Sequence, residues 1–357
     1  MKKRNSRLWL IAVFAVLLIA LAIPVANALA QNGAGLICPP FCMVTFDISN
    51  MLAPASNEAT QIAGLFNFIL ILATVIFVLV EGLLFFAVLR HRNRPPEAAM
   101  QFHGNTKLEL AWTAAPAVIL AVLLGFTFQT MAQVKAVTSE NVLHVKAVGH
   151  QWWWEFRYAD MEIVTANVLV VPVNTIVEVA VESTDVEHGF WAPELFGKVD
   201  AVPGYTNRVR FTPTEVRDYY GGQCTQFCGI QHAQMRLAVT VMGAREFQAW
   251  ASNQQQPPAA PETLTGDAKA GQELFTARAC GVCHTINGTA AVGTTGPNLT
   301  HLVNRGFIAG GVLANTPENL HAWIKDPQAV KVGNTMPNLQ LTDEQVSLIV
   351  AYLTTLK

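Results

Sequence analysis

Two apolar runs constrain this chain before anything else does. "IAGLFNFILILATVIFVLVEGLLFFAVL" at residues 62–89 and "LAWTAAPAVILAVLLGFTFQTM" at 110–131 are each long enough to cross a hydrocarbon core of about 30 Å. Backbone amides in lipid must be satisfied within their own segment, so each run reads as a membrane helix. The pair forms a hairpin over 62–131 with a loop at 90–109. That loop holds Arg90, Arg92, Arg94 and Lys107, whereas residues 31–61 hold no Lys or Arg, so the loop is expected in the cytoplasm and both long ends outside it. Composition agrees: 13% of residues are charged, against about a quarter in soluble domains. A net charge of -2, with no basic patch interleaved with aromatics, excludes nucleic acid as a partner.

Residues 1–30 have a basic start, an apolar stretch and the small-residue pattern Ala28-Leu29-Ala30, which reads as a signal peptide cleaved near Gln31. A retained first membrane helix is the alternative. Cleavage leaves 31–61 as a short extracytoplasmic segment, in a compartment where disulfides persist. Cys38 and Cys42 in "CPPFC" then suggest a disulfide, with a metal site as the second choice.

Beyond the hairpin the pattern changes. Short alternating or β-branched runs such as "NVLVVPV", "TIVEVAVEST" and "MRLAVTVMG", punctuated by Pro, Gly and Asn, predict an all-β sandwich or barrel over 140–247. "SNQQQPPAAPE" marks a semi-extended linker at 248–263. Helical patterns fill 264–357, and Thr342 ahead of Asp343, Glu344 and Gln345 is a helix-start signature.

Chemistry concentrates in two places. In "CTQFCGIQHAQM", Cys224, Cys228, His232 and Met235 sit on one loop between strands. Zinc accepts two Cys and a His, but a thioether and the missing paired spacings favour copper. A mononuclear blue-copper site needs one thiolate, so two thiolates suggest two copper ions bridged by two sulfurs. A structural disulfide is the plainer alternative. The binuclear arrangement needs a second imidazole, and His188 in "STDVEHGFWAPELFGKVDAVPGY" supplies one. Further on, Cys280, Cys283 and His284 form the C-x-x-C-H attachment pattern of haem c, which outside the cytoplasm outweighs a thioredoxin-like pair. Met336, ahead of Pro337 and the last helix, is the expected second iron ligand, with His301 and His321 as rivals.

"GHQWWWEF", "EHGFWAPELFGKVDAVPGY" and "YYGGQCTQFCGIQHAQM" closely resemble subunit II of haem-copper cytochrome c oxidases, and "HGNTKLELAWTAAP" extends the likeness into the hairpin. The resemblance implies a membrane-anchored multidomain chain: a two-helix hairpin, an all-β cupredoxin-like sandwich and, fused behind it, an all-α class I cytochrome c domain. It implies a binuclear CuA centre held by His188, Cys224, Cys228, His232, Met235 and the backbone carbonyl of Gln226. Many relatives carry glutamate at position 226, whose side chain reaches a magnesium ion; Gln226 keeps the carbonyl and loses the charge. Tyr205 stands where the family often has an arginine that pairs with a haem propionate. "TTGPNLTHL" resembles the cytochrome loop whose proline, here Pro297, packs near the iron-binding histidine. The first tryptophan of the "WWW" run, Trp152, matches the point where electrons enter from soluble cytochrome c. Glu109, at the cytoplasmic start of the second helix, resembles an acid at the mouth of a proton path, or serves the helix dipole alone. Glu81, inside the first helix, is either functional or a snorkelling or contact residue.

The implied role is to carry electrons from an external one-electron donor, a c-type cytochrome or copper protein, through haem c and CuA to a catalytic subunit I that reduces oxygen and pumps protons. The implied place is a bacterial plasma membrane, with copper and haem on the outer side. Two membrane helices cannot hold the oxygen-reducing haem and its copper, so no catalytic residue is expected in this chain. A nitric oxide reductase subunit with the same copper centre, or a copper carrier or assembly protein, are the alternatives.

Overall fold

The computed structural model describes residues 36–37, 43–44, 50–93, 95, 104–135, 141–258 and 263–357. The expected signal segment, Cys38 and Cys42 lie outside the described residues. Short strands β1 (Leu36–Ile37) and β2 (Met43–Val44) pair with each other. The hairpin follows as helices α1 (Asn57–His91) and α2 (Thr106–Lys135), both long and apolar enough to cross a membrane. Large apolar side chains point outward all round both helices, as lipid-facing surfaces require, and Phe68 meets Phe126 at 5.1 Å between ring centroids.

Both helices begin before their apolar runs. Ser56 caps α1: its Oγ accepts from the Ala59 amide at 2.9 Å and donates to the Leu195 carbonyl at 2.5 Å. Glu58 accepts from the Thr212 amide at 2.6 Å and its hydroxyl at 3.1 Å. The first turn of the membrane helix is thereby fastened to the β domain, and its polar residues are satisfied there. At α2, Asn105 Oδ1 accepts from the Leu108 amide at 3.2 Å while Glu109 accepts from the Asn105 amide at 3.3 Å. The expected loop at 90–109 therefore shortens at both ends.

Ten strands form the sandwich: β3 (Val142–His150), β4 (Trp153–Tyr158), β5 (Ile163–Ala166), β6 (Val168–Pro172), β7 (Ile176–Ser183), β8 (His188–Trp191), β9 (Val199–Ala201), β10 (Asn207–Phe211), β11 (Arg217–Cys224) and β12 (Arg236–Met242). One sheet runs β10-β7-β3-β4-β5 and the other β6-β12-β11-β8-β9. Pairing is antiparallel except for β3 with β7 and β12 with β6. Trp154, Phe156, Phe190, Phe196 and Phe211 fill the space between the sheets, with Trp154 edge-on to Phe190 at 5.2 Å and Phe190 stacked on Phe196 at 4.9 Å. Strands β8, β11 and β12 all open at one end of the sandwich. His188 begins β8, Cys224 ends β11, and Met235 immediately precedes β12.

Helix α3 (Ala244–Gln254) occupies the first part of the segment expected as a linker from residue 248. Phe247 and Ala251, four apart, turn one apolar face onto the sandwich, and Trp250 meets Tyr158 edge-on at 5.4 Å. Packing, which composition does not reveal, extends the helix into the Gln-rich stretch.

The C-terminal domain comprises α4 (Gly266–Ala277), strands β13 (Phe307–Ile308) and β14 (Leu313–Ala314), and helices α5 (Pro317–Lys325), α6 (Pro327–Val330) and α7 (Asp343–Leu353). Helices α4 and α7 meet through Phe275 and Tyr352, ring centroids 5.7 Å apart. Thr342 and Gln345 form a reciprocal capping box at the start of α7. The β13–β14 hairpin is an addition to the expected all-α fold, and β2 pairs with β14 through Met43 and Leu313.

Candidate metal centres

The β8 and β11–β12 loops bring five side chains and one carbonyl together. Cys224 Sγ lies 3.7 Å from Cys228 Sγ, well beyond the ~2.05 Å of a disulfide. His188 Nδ1 stands 4.0 Å from Cys224 Sγ, and the Gln226 carbonyl 3.2 Å. His232 Nδ1 stands 3.6 Å from Cys228 Sγ, and Met235 Sδ 3.9 Å. Metal bonds to sulfur and imidazole run about 2.0–2.3 Å, so donors that share an ion stand within ~4.5 Å of each other. Every one of these gaps satisfies that limit. Soft thiolates, imidazoles and a thioether in a buried pocket fit copper, and the chemistry of the donor set is itself the fit.

The two thiols share their protons unequally. A hydrogen bond from Cys228 pulls the Cys224 thiol well below its ordinary value, while that bond, burial and the charge on Cys224 push Cys228 up. Two thiolates side by side thus require cations between or beside them to be stable.

Each histidine is aimed by its surroundings. His188 is fully buried, and its Nε2 meets Asp185 Oδ1 at 2.7 Å, which leaves Nδ1 toward the sulfurs. Burial alone raises the Asp185 carboxyl, but bonds from His188 and the amides of Val186 and Gln151 outweigh it and hold Asp185 below its ordinary range. Gly149 on β3 provides the space: a Cβ there lies 2.7 Å from His188 Cδ2. Trp154 approaches the same imidazole edge-on at 5.8 Å. The sequence signal for Asp185 was an acid three residues before His188, a pattern too common to single out. Gln226 Oε1 accepts from Lys198 Nζ at 3.3 Å, and Lys198 pairs with Asp200 at 3.1 Å. Tyr205 is exposed.

In the C-terminal domain, Cys280 and Cys283 are free thiols beside a short turn that ends at His284. His284 Nδ1 meets the Pro297 carbonyl at 2.8 Å. The Pro297 carbonyl thus orients the ring through Nδ1 and leaves Nε2 as the nitrogen that could face a metal. Burial holds the His284 pKa below its ordinary value, which favours the neutral imidazole a metal needs. Two thiols and an oriented histidine fit haem c. Met336 is placed by its amide, which donates to Asn334 Oδ1 at 2.8 Å, and by its carbonyl, which accepts from Gln328 at 3.0 Å. Of the rivals, His301 has both nitrogens against backbone oxygens, Lys357 at 2.7 Å and Gln254 at 3.0 Å. His321 lies 3.4 Å from the Asp343 carbonyl.

Trp152, expected as a contact surface for a soluble donor, is buried, and its Nε1 donates to the Cys228 carbonyl at 3.0 Å. Glu109 is exposed and caps its own helix.

A hairpin anchor, a sandwich with a soft-metal cluster at one end and a haem-attachment domain define a class: membrane-anchored subunits that carry copper and haem c. Comparison with known proteins narrows it. The family described as "Cytochrome C oxidase subunit II, transmembrane domain" matches residues 46–130, "Cytochrome C oxidase subunit II, periplasmic domain" matches 161–242, and "Cytochrome c" matches 268–357. Cytochrome c oxidase subunit 2 of Alkalihalophilus pseudofirmus is 33% identical over 316 residues, covering 86% of this chain and 90% of that protein. The Bacillus subtilis protein of the same name is 32% identical over 312 residues, covering 80% and 87%. Among solved structures, the periplasmic domain of subunit II of cytochrome oxidase of Bradyrhizobium japonicum aligns with a TM-score of 0.32 and 31% identity, covering 33% of this chain and 97% of that one. The chain belongs to the cytochrome c oxidase subunit II family, in a form with a cytochrome c domain at its C-terminal end. That membership implies CuA copper and haem c as its cofactors.

Proposed function

We propose that this chain receives electrons from an external one-electron donor at its haem c domain and delivers them through its copper domain to the catalytic subunit I of a haem-copper oxidase, which reduces oxygen to water and pumps protons. When bound, haem c and CuA supply reversible one-electron chemistry. His188 Nδ1, Cys224, Cys228, His232 Nδ1, Met235 and the Gln226 carbonyl would hold the copper pair. Cys280 and Cys283 would attach the haem, and His284 Nε2 and Met336 would hold its iron; thioether ligation would favour the higher potential that an electron carrier needs.

The observation that carries this reading is the pairing of the two donor sets in one chain, the sulfur cluster with its thiols 3.7 Å apart and the C-x-x-C-H turn with its oriented histidine. A rigid, dry cage keeps bond lengths nearly constant between oxidation states, which is what a fast carrier requires. Asp185 and Pro297 serve that end by fixing the imidazoles of His188 and His284. The copper and haem domains face the outside of a bacterial plasma membrane, and the bonds of Ser56 and Glu58 to Leu195 and Thr212 set the copper domain's height above the bilayer. At the opposite end, Glu109 is the candidate for the mouth of a proton path into subunit I.

The test is gas consumption by the purified complex fed with a reduced c-type cytochrome. Oxygen uptake with proton release outside supports the reading. Consumption of nitric oxide and not oxygen, or failure of the chain to co-purify with a haem-containing membrane subunit, contradicts it.

A further inference from the structure

The haem domain rests on the copper loop, and a single lysine closes the seam between them. Lys331, just beyond α6, is 3% exposed, unusual for a lysine. Its Nζ donates to three backbone carbonyls: Trp152 at 2.9 Å, Gln234 at 3.0 Å and Ala309 at 3.2 Å. Trp152 and Gln234 belong to the copper domain and Ala309 to the β13–β14 turn of the haem domain. Three carbonyls match the three N–H donors of an ammonium. Burial pulls the Lys331 pKa down to about 7, which marks how dry the seam is.

Around Lys331 the two domains interlock. The Arg236 amide donates to the Gly310 carbonyl at 3.0 Å, and Gln231 Nε2 donates to the Val332 carbonyl. Farther off, Asn304 donates to Asn253 at 3.0 Å and His301 meets the Gln254 carbonyl, so the end of α3 is also tied down. A domain held at both places is docked, and its encounter with copper does not depend on diffusion at the end of a tether.

Lys331 also lies on an unbroken run of bonds between the two candidate ligand sets. The Met336 amide donates to Asn334 Oδ1 at 2.8 Å, and Asn334 Nδ2 donates to the Lys331 carbonyl at 2.6 Å. Lys331 Nζ reaches Trp152, whose indole Nε1 donates to the Cys228 carbonyl at 3.0 Å. Electron tunnelling falls off steeply with gap length and is favoured through bonds over gaps.

We infer that Lys331 is the positioning residue that locks the haem domain onto the copper domain, and that electrons cross from haem c to copper through the Lys331–Trp152 contact. The inference rests on the proposed function for the identity of the two redox groups. Trp152, covered by this seam, takes its electron from the fused domain, and an external donor must reduce haem c first.

Lys331→Met in the full chain, within the purified complex, tests this with two readouts. Hydrogen exchange across residues 228–236 and 305–312 reports docking, and flash photoreduction of haem c followed by the rise of reduced copper reports transfer. The expected result is faster exchange in both segments and at least a tenfold slower transfer, with copper and haem content unchanged and Lys331→Arg recovering part of the loss. Should Lys331→Met fail to fold, Gly310→Ala serves instead, because its Cβ lies 2.6 Å from Lys331 Nζ and 2.7 Å from the Trp152 carbonyl. Unchanged transfer in the variant, with or without faster exchange, overturns the inference. A wild-type chain without copper or haem overturns the proposed function instead.

Discussion

Asp185 Oδ1 and His188 Nε2 lie 2.7 Å apart, and that bond decides which nitrogen of the imidazole faces the sulfurs. Outer partners of this kind set the tautomer and ring angle of a ligand, and their loss typically lowers metal affinity about 10–100-fold. Asp185→Ala is expected to fall in that range for copper while the sandwich stays folded, since Asp185 sits on an exposed turn. Competition with a copper chelator measures the affinity, and circular dichroism checks the fold. Wild-type affinity in a folded variant would remove Asp185 from its role.

Cys228 stands at the middle of the cluster, 3.7 Å from Cys224, 3.6 Å from His232 and 3.9 Å from Met235. Cys228→Ser replaces the thiolate proposed to bridge the copper pair by a hydroxyl, a hard and weakly acidic donor. The variant is expected to retain haem and to lose at least one copper ion per chain by elemental analysis. Full copper content would mean that Cys228 is no bridge.

Trp154 is fully buried among Phe190 and His188 and anchors the sandwich core. Truncating such an aromatic costs ~3–5 kcal/mol through lost burial and the cavity left behind. Trp154→Ala is expected to lower the stability of the copper domain by about that much and to loosen His188. Denaturant titration of the detergent-solubilised chain measures it, and a loss below about 1 kcal/mol would show that the core collapses into the gap.

Glu178 on β7 faces His144 of β3 at 3.8 Å, Arg208 of β10 at 2.8 Å and Arg210 on the same strand. Burial pushes its carboxyl up, but bonds and charges from Arg210 and Arg208 outweigh that and hold it below the ordinary glutamate value. The unfolded chain therefore binds more protons in acid than the folded one. This contribution to stability is present above the unfolded pKa of about 4.3 and disappears as pH falls through the lower folded value. Glu178→Gln is expected to flatten the loss of stability between about pH 5 and 3, and an unchanged acid profile would contradict the assignment.

Local signals carried much of the architecture. The hairpin follows from two apolar runs, the last helix from Thr342 and Gln345, and the haem turn from three residues in five. What sequence left out depends on contacts between distant segments. Helix α1 starts early because Ser56 and Glu58 find partners at Leu195 and Thr212, far along the chain. Helix α3 runs into a Gln-rich stretch because Phe247 and Ala251 find a sandwich to cover. His188 enters the copper set because two bridged ions need a second imidazole, and family likeness supports the choice, since no spacing ties it to Cys224. Lys331 had no signal at all: a lysine near a turn reads as a solvated charge until Trp152 and Gln234 are brought against it.

Copper and iron determined together on the purified, detergent-solubilised chain address the core of this picture most directly. Two copper ions per haem iron, with Cys224 and Cys228 both reduced and metal-bound, is the expected result. One copper per iron, or a cystine joining Cys224 to Cys228, would contradict a binuclear centre built on paired thiolates.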